Sequence, residues 1–258
     1  MSATGLADSI ALAGSTKPAG NTMLADSVKP AVNGKPPKNQ VLSEADWAQP
    51  TAPRMALVKR LRDKGIRSEA VLNAILRVPR ERFIDEALWS RAYQDDALPI
   101  GHEQTISQPF VVARMIEAIL PARGKLAKVL EVGTGCGYQA AVLAQLADEV
   151  YSIERIKPLY YKARANLRPL RIPNVRLAYG DGYAGLADAA PFDAIIVAAA
   201  SPELPPALVQ QLKRGGKMII PVGTSTQRLK LIDKRGMTVI EKELDLVRFV
   251  PMLGGLVK

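Results

Sequence analysis

The feature that most constrains this chain is a glycine-rich turn, Glu131-Val132-Gly133-Thr134-Gly135-Cys136-Gly137-Tyr138, entered from the β-type run 128–132. Three alternating glycines let a backbone approach a ligand that side chains would exclude. A helix over 137–146 follows, so the turn joins a strand to a helix. Beyond it the pattern alternates: strand 149–153, helix 158–167 with Pro158 tolerated near its start, then apolar β-type runs at 175–179, 194–197 and 218–221. That succession predicts a mostly parallel, doubly wound sheet with helices on both faces, a Rossmann-like α/β fold. Residues 228–234 and 237–247, joined at Arg235-Gly236, predict a closing antiparallel hairpin.

Ahead of the turn the chain reads as helical. Met55, Leu57, Val58 and Leu61 recur at helical spacing and Gly65 supplies a stop. Ser68 is placed to cap a helix over 69–77 with Val71, Leu72, Ile75 and Leu76 on one face, and Val78-Pro79-Arg80 ends it. Residues 1–42 are rich in Ala, Gly, Ser, Thr, Lys and Pro without a sustained period, and cannot bury enough apolar surface to offset ordering. The expected organisation is a disordered extension over 1–50 and one domain over 51–258. Within that domain a helical cap spans about 54–110 and an α/β core about 125–258.

Several function classes are excluded or weakened. No run approaches the roughly 20 apolar residues needed to cross a bilayer. The first basic residue, Lys17, comes after the apolar stretch 10–13, unlike a secretory signal. One cysteine, Cys136, and one histidine, His102, leave no disulfide and no thiolate or imidazole metal cluster, so no metal and a cytoplasmic setting are expected. The net charge of +10 invites a nucleic-acid reading. However, the basic residues are dispersed and often stand beside acids, as in Lys59-Arg60-Leu61-Arg62-Asp63, with no aromatic stacking motif. A field that draws in anionic substrates is the milder inference.

Two acids complete a cofactor site. Glu154 ends the second strand, 21 positions after Gly133, where its carboxylate can accept both hydroxyl hydrogens of a ribose. Asp181, in Gly180-Asp181-Gly182, ends the third strand where an adenine amino group would lie. Dinucleotide sites favour G-x-G-x-x-G and a helix N-terminus facing pyrophosphate. This chain has G-x-G-x-G and a second acid, which favours S-adenosylmethionine, a cofactor without phosphate. The turn adds Glu131, Thr134 and Gln139 as cofactor-site candidates, with Gly133, Gly135 and Gly182. For the acceptor, the polar segment 98–109 offers the hydroxyls of Thr105 and Ser107, with Ile106 between them, just before a helix beginning near Phe110. Hydroxyls and free N–H groups at a helix start suit a carboxylate. The alternative for Ser107 is a plain helix cap.

The segments Asp96-x-Leu-Pro-Ile-Gly, Gln104-Thr-Ile-Ser-Gln-Pro, Val129-Leu-Glu-Val-Gly-Thr-Gly-Cys-Gly-Tyr-Gln, Val150-Tyr-Ser-Ile-Glu-Arg, Pro191-Phe-Asp-Ala-Ile-Ile-Val, Pro221-Val-Gly and Arg248-Phe-Val-Pro together resemble the protein-L-isoaspartate O-methyltransferase family over about 55–255. The resemblance implies a class I methyltransferase fold and S-adenosylmethionine as methyl donor, leaving S-adenosylhomocysteine. It implies L-isoaspartyl peptides and proteins as partners, and Ser107 as the active-site residue. His102 is expected in a loop near the substrate entrance. A monomer acting on neither nucleic acid nor membrane is expected. The chain departs from the family at Glu103, where glycine is commoner, at Ala198, where threonine is common, and at Cys136, often a smaller residue. The rival reading is a methyltransferase of the same fold acting on a small molecule or RNA.

Overall fold

The computed structural model describes residues 43–258 apart from Arg123; of the extension expected to be disordered over 1–50, the first 42 residues lie outside the described residues, while the remainder contains a short helix with Trp47 buried. The short helix α1 (Glu44–Trp47) leads into α2 (Ala52–Asp63) and α3 (Glu69–Arg77). Ser68 caps α3, its hydroxyl accepting from the Val71 N–H, and the chain turns extended at Val78 before Pro79. Helix α2 is rotated from the expected register. Met55 is 52% exposed, while Arg54 is buried with Leu57, Val58 and Leu61. Arg54 is buried because acceptors converge on it: the carbonyls of Trp47, Gln49 and Arg77, the Tyr93 hydroxyl and Glu81.

Two 3-10 turns, Arg80–Phe83 and Glu86–Arg91, lead to a feature the sequence reading treats as loop. Strands β1 (Leu98–Gly101) and β2 (Gln104–Ile106) form an antiparallel hairpin, with Leu98, Ile100 and Ile106 buried. Helix α4 (Pro109–Ile119) follows.

The core then alternates as expected: β3 (Leu126–Val132), α5 (Tyr138–Leu143), β4 (Ala147–Glu154), α6 (Lys157–Leu167), β5 (Val175–Tyr179), β6 (Phe192–Val197), α7 (Pro206–Gln211) and β7 (Leu212–Val222). Helix α5 is shorter than its pattern, β7 is longer, and α7 is an element the sequence reading does not supply. Strands β8 (Gln227–Arg235) and β9 (Thr238–Val247) close the sheet as an antiparallel hairpin.

The sheet order is β5-β4-β3-β6-β7-β8-β9. Successive strands run outward from β3 to β5, then the chain returns to the other side of β3 and runs outward again. This reversal opens a crevice at the C-terminal ends of β3 and β6, where open α/β sheets bind ligands. Side-chain alternation divides the core. Val129, Val150, Ile196 and Ile219 pack with α2–α6, whereas Leu130, Ile153, Ile195 and Ile220 pack with Leu208 of α7 on the other face.

Candidate active site

The glycine-rich turn leaves β3 through Gly133 (φ 93°), Gly135 (φ 55°) and Gly137 (φ 90°), three left-handed positions that favour glycine. Strand β4 pins it: the N–H groups of Gly133 and Thr134 both donate to the Ile153 carbonyl, at 2.9 and 3.2 Å. Glu154, at the end of β4, accepts from the Gly135 N–H at 2.8 Å through Oε2 and from the Ile156 N–H at 2.9 Å through Oε1. It is 5% exposed. Burial raises its carboxyl above the ordinary range, against the N–H donors of Ile156, Gly135 and Arg155. Two carboxylate oxygens hold about four acceptor positions, so lone pairs remain for hydroxyl donors.

Beneath the turn lies a buried polar chain. The Thr134 hydroxyl meets that of Ser152 at 2.6 Å, and Ser152 in turn donates to Glu131 Oε2. Glu131 is fully buried, and its other oxygen has no partner among the described residues. Burial pushes its carboxyl up to about 8, with Ser152 and the nearby Gln139 amide pulling the other way.

The hairpin β1–β2 brings the acceptor segment over this turn. Its tip, His102 (φ 53°) and Glu103 (φ 58°), holds two consecutive non-glycine residues in the left-handed region. One cavity is lined by Thr105, Ile106 and Ser107, by Gly133, Thr134, Gly135, Gln139, Glu154 and Gly182, and by the apolar Ile100, Ile156 and Leu159. A second groove adjoins it, with Asp96, Gln108 and Arg248 among its lining residues. Thr105, Ser107, Ala198 and Val250 line both. A group held on Ser107 from the groove therefore faces the cavity above the glycine turn. Ser107 does not cap α4; Gln108 occupies that position and makes no side-chain cap.

Three candidates do not line the cavity. Glu131 lies beneath the turn, and His102 stands exposed at the hairpin tip. Asp181 is engaged by its own chain: Oδ1 accepts from the Tyr183 N–H, and Oδ2 from the Gly255 N–H at 2.6 Å. Sequence reasoning missed the wall formed by Val250, Pro251, Met252 and Leu253. Backbone bonds between Ala200 and residues 250 and 252 place this segment, at 2.8 and 2.7 Å, and no local spacing announces them. Among the described residues no group of three or more His, Cys, Asp or Glu could hold a metal ion.

Residues 52–256 match the sequence model of a family described as protein-L-isoaspartate(D-aspartate) O-methyltransferase. A protein-L-isoaspartate O-methyltransferase of Dechloromonas aromatica (strain RCB) is 58% identical over 202 residues, 78% of this chain and 94% of that protein. One of Bordetella avium (strain 197N) is 58% identical over 205 residues, 79% of this chain and 77% of the relative. A solved structure named protein-L-isoaspartate O-methyltransferase superposes with a TM-score of 0.72 at 31% identity, covering 79% of this chain and 67% of that one. A Plasmodium falciparum structure, described as a beta-aspartate methyltransferase of this kind in complex with S-adenosyl-L-homocysteine, gives a TM-score of 0.67 at 29% identity, over 78% and 98% of the two chains.

Proposed function

The chain belongs to the protein-L-isoaspartate(D-aspartate) O-methyltransferase family, and from that membership we propose how its own residues carry out the reaction. It is an S-adenosylmethionine-dependent enzyme that methylates the free carboxylate of L-isoaspartyl residues in peptides and proteins. The single observation that carries the site assignment is that Ser107 and Thr105 line both the cavity over the glycine turn and the adjoining groove.

The cavity suits the cofactor. A turn with glycine at 133, 135 and 137, the apolar Ile156 and Leu159, and a buried carboxylate with spare acceptor positions match an adenine, a ribose and an extended arm. Gly133, Thr134, Gly135, Gln139, Glu154 and Gly182 would hold it, with Glu154 on the ribose hydroxyls. Asp181 joins them where the C-terminal segment yields its Oδ2. When bound, S-adenosylmethionine supplies a methyl carbon activated by a sulfonium.

The acceptor needs no general base, because a carboxylate with a reference pKa near 4 is already ionised at neutral pH. The enzyme's contribution is positioning, which can supply several orders of magnitude. Ser107 orients the carboxylate by donating a hydrogen bond, with Thr105 and Ile106 framing it. Charge is neutralised along the reaction, so the enclosure between hairpin, turn and residues 250–253 aids it by excluding water. In the methyl ester the methoxy group is a better leaving group than the oxygen of the free carboxylate, so attack by a backbone amide nitrogen on the ester carbonyl breaks the C–O bond and releases methanol with the amide proton. This closes a succinimide, whose hydrolysis partly restores normal aspartate.

We read residues 51–258 as the catalytic domain, acting as a cytoplasmic monomer on polypeptides rather than on nucleic acid or membrane. The lone cysteine and the dispersed basic residues support this reading.

The test is radiolabelled methyl transfer to a matched pair of peptides, one isoaspartyl and one aspartyl. Base-labile label on the isoaspartyl peptide alone is expected. In Ser107→Ala, transfer falls while adenosylhomocysteine binding persists; wild-type turnover in that variant would remove Ser107 from the reaction.

A further inference from the structure

Arg80 is fully buried, with no exposed surface. A guanidinium cannot shed its charge in a protein, so such burial ordinarily comes with a carboxylate partner. Among the described residues Arg80 has none, and the titratable groups that act on it are Tyr138, Cys136 and Tyr93. It is held by carbonyls instead. Nε donates to Ala92 O at 3.0 Å, while Nη2 donates to Ser107 O at 2.9 Å and more weakly to Asp96 O at 3.4 Å. The guanidinium lies 4.8 Å from the centroid of the Tyr138 ring, and Nη1 has no partner among the described residues. The nearby acid Glu81 is taken by Arg54 and Tyr93. The molecule thus keeps an unneutralised buried cation directly behind the backbone of Ser107.

We infer that Arg80 is a positioning residue for the acceptor: it fixes the Ser107 backbone and supplies the positive charge that the substrate's carboxylate neutralises. The inference rests on the reading of Ser107 as the acceptor site. The two roles share one geometry. The bond to Ser107 O fixes the residue whose hydroxyl meets the substrate, and it brings the charge to roughly 6–8 Å from a carboxylate on that hydroxyl. At an effective dielectric constant of about 20, that separation favours an anion over its neutral isostere by roughly thirty- to hundredfold. Arg80 lines neither the cavity nor the groove, so it acts through Ser107 and through the field rather than by contact.

The test compares the full chain with Arg80→Met and Arg80→Lys, each saturated with adenosylhomocysteine. Peptide dissociation constants are measured for an isoaspartyl peptide and its neutral isoasparaginyl isostere. Methyl transfer to the isoaspartyl peptide by the wild-type chain is measured first, and its absence would overturn the acceptor reading itself. Given transfer, wild type is expected to prefer the anionic peptide by roughly thirtyfold or more. Arg80→Met should lose that preference while binding the neutral peptide within about threefold of wild type. Arg80→Lys cannot span the three carbonyls, so it should lose turnover. An equal loss for both peptides in Arg80→Met, or an unchanged preference, overturns the proposal. Should Arg80→Met fail to fold, Arg80→Lys decides: wild-type turnover overturns it.

Discussion

Replacing Glu131 with glutamine should remove a pH dependence of stability that the fold imposes on this one carboxyl. Glu131 stands on β3 two residues before Gly133, fully buried, with Ser152 donating to one oxygen and no partner for the other among the described residues. Burial is the largest influence on it, and the carboxylate of Glu154 acts in the same direction. The folded chain therefore holds this proton up to about pH 8, whereas the unfolded chain releases it near 4.5. Between those values the folded state binds one proton more than the unfolded state, so stability falls as pH rises. The stabilisation is fully present below about pH 4.5 and fully lost above about 8. At about 1.4 kcal/mol per tenfold change in proton activity, the window is worth on the order of 4–5 kcal/mol. Glutamine keeps the shape and cannot ionise. Urea unfolding of wild type and Glu131→Gln at pH 5, 6, 7 and 8 isolates this group, since other titrations cancel in the difference. The variant should gain on wild type by about 1.4 kcal/mol per pH unit. A difference that stays constant across the range would refute the argument, because it would mean Glu131 is already ionised in the folded protein.

Other substitutions test the remaining parts of the site and its scaffold. Glu154→Gln should weaken adenosylhomocysteine binding about ten- to a hundredfold by calorimetry, since hydrogen bonds to a charged group contribute about 1.5–3 kcal/mol; wild-type affinity would take Glu154 out of the cofactor site. Gly182→Ala would set a Cβ 2.6 Å from Val132 Cγ1 and 3.3 Å from Met252 Cε, overpacking the floor and roof of the cavity together. A loss of about 1–3 kcal/mol in thermal unfolding is expected, and an unchanged midpoint would show that these segments shift freely. Arg54→Met removes the donor shared by Trp47, Gln49 and Arg77 carbonyls and the cation facing Glu81. It should cost about 3 kcal/mol of stability in chemical denaturation, and a loss under about 1 kcal/mol would show that the cap does not depend on it.

What the sequence disclosed and what it withheld divide along the range of the interactions involved. Strand β5 occupies the span its β-type run predicts, and the turn at 133–137 takes the left-handed conformations its glycines predict. Both are settled by residues adjacent in the chain. The hairpin at 98–106 carried a legible half-signal, since Leu98 and Ile100 alternate with Pro99 and Gly101. Its turn hid it. The two central residues of such a turn have positive φ and are ordinarily asparagine, aspartate or glycine, whereas here they are His102 and Glu103. A histidine and a glutamate at these two positions thus conceal the hairpin.

The acceptor side shows the same division within the site itself. Ser107 and Thr105 were visible as hydroxyls before a helix, because a helix start has a local signature. Nothing local reveals that Arg80, 27 positions upstream, holds Ser107 by its carbonyl, or that residues 250–253 roof the same cavity. Arg80 follows Val78-Pro79 at a helix end and Arg54 lies in the first turn of α2, and neither position carries a local signal of burial. Both are buried because carbonyls from several separate segments converge on each guanidinium. Burying a cation is tolerated only where such acceptors are already held in place, so these arginines depend on the assembled fold rather than specify it. The cofactor half of the site is built from one turn and its neighbouring strand, and is therefore readable from spacing. The acceptor half is built where cap, hairpin and C-terminal segment meet, and only the assembled structure brings its parts together.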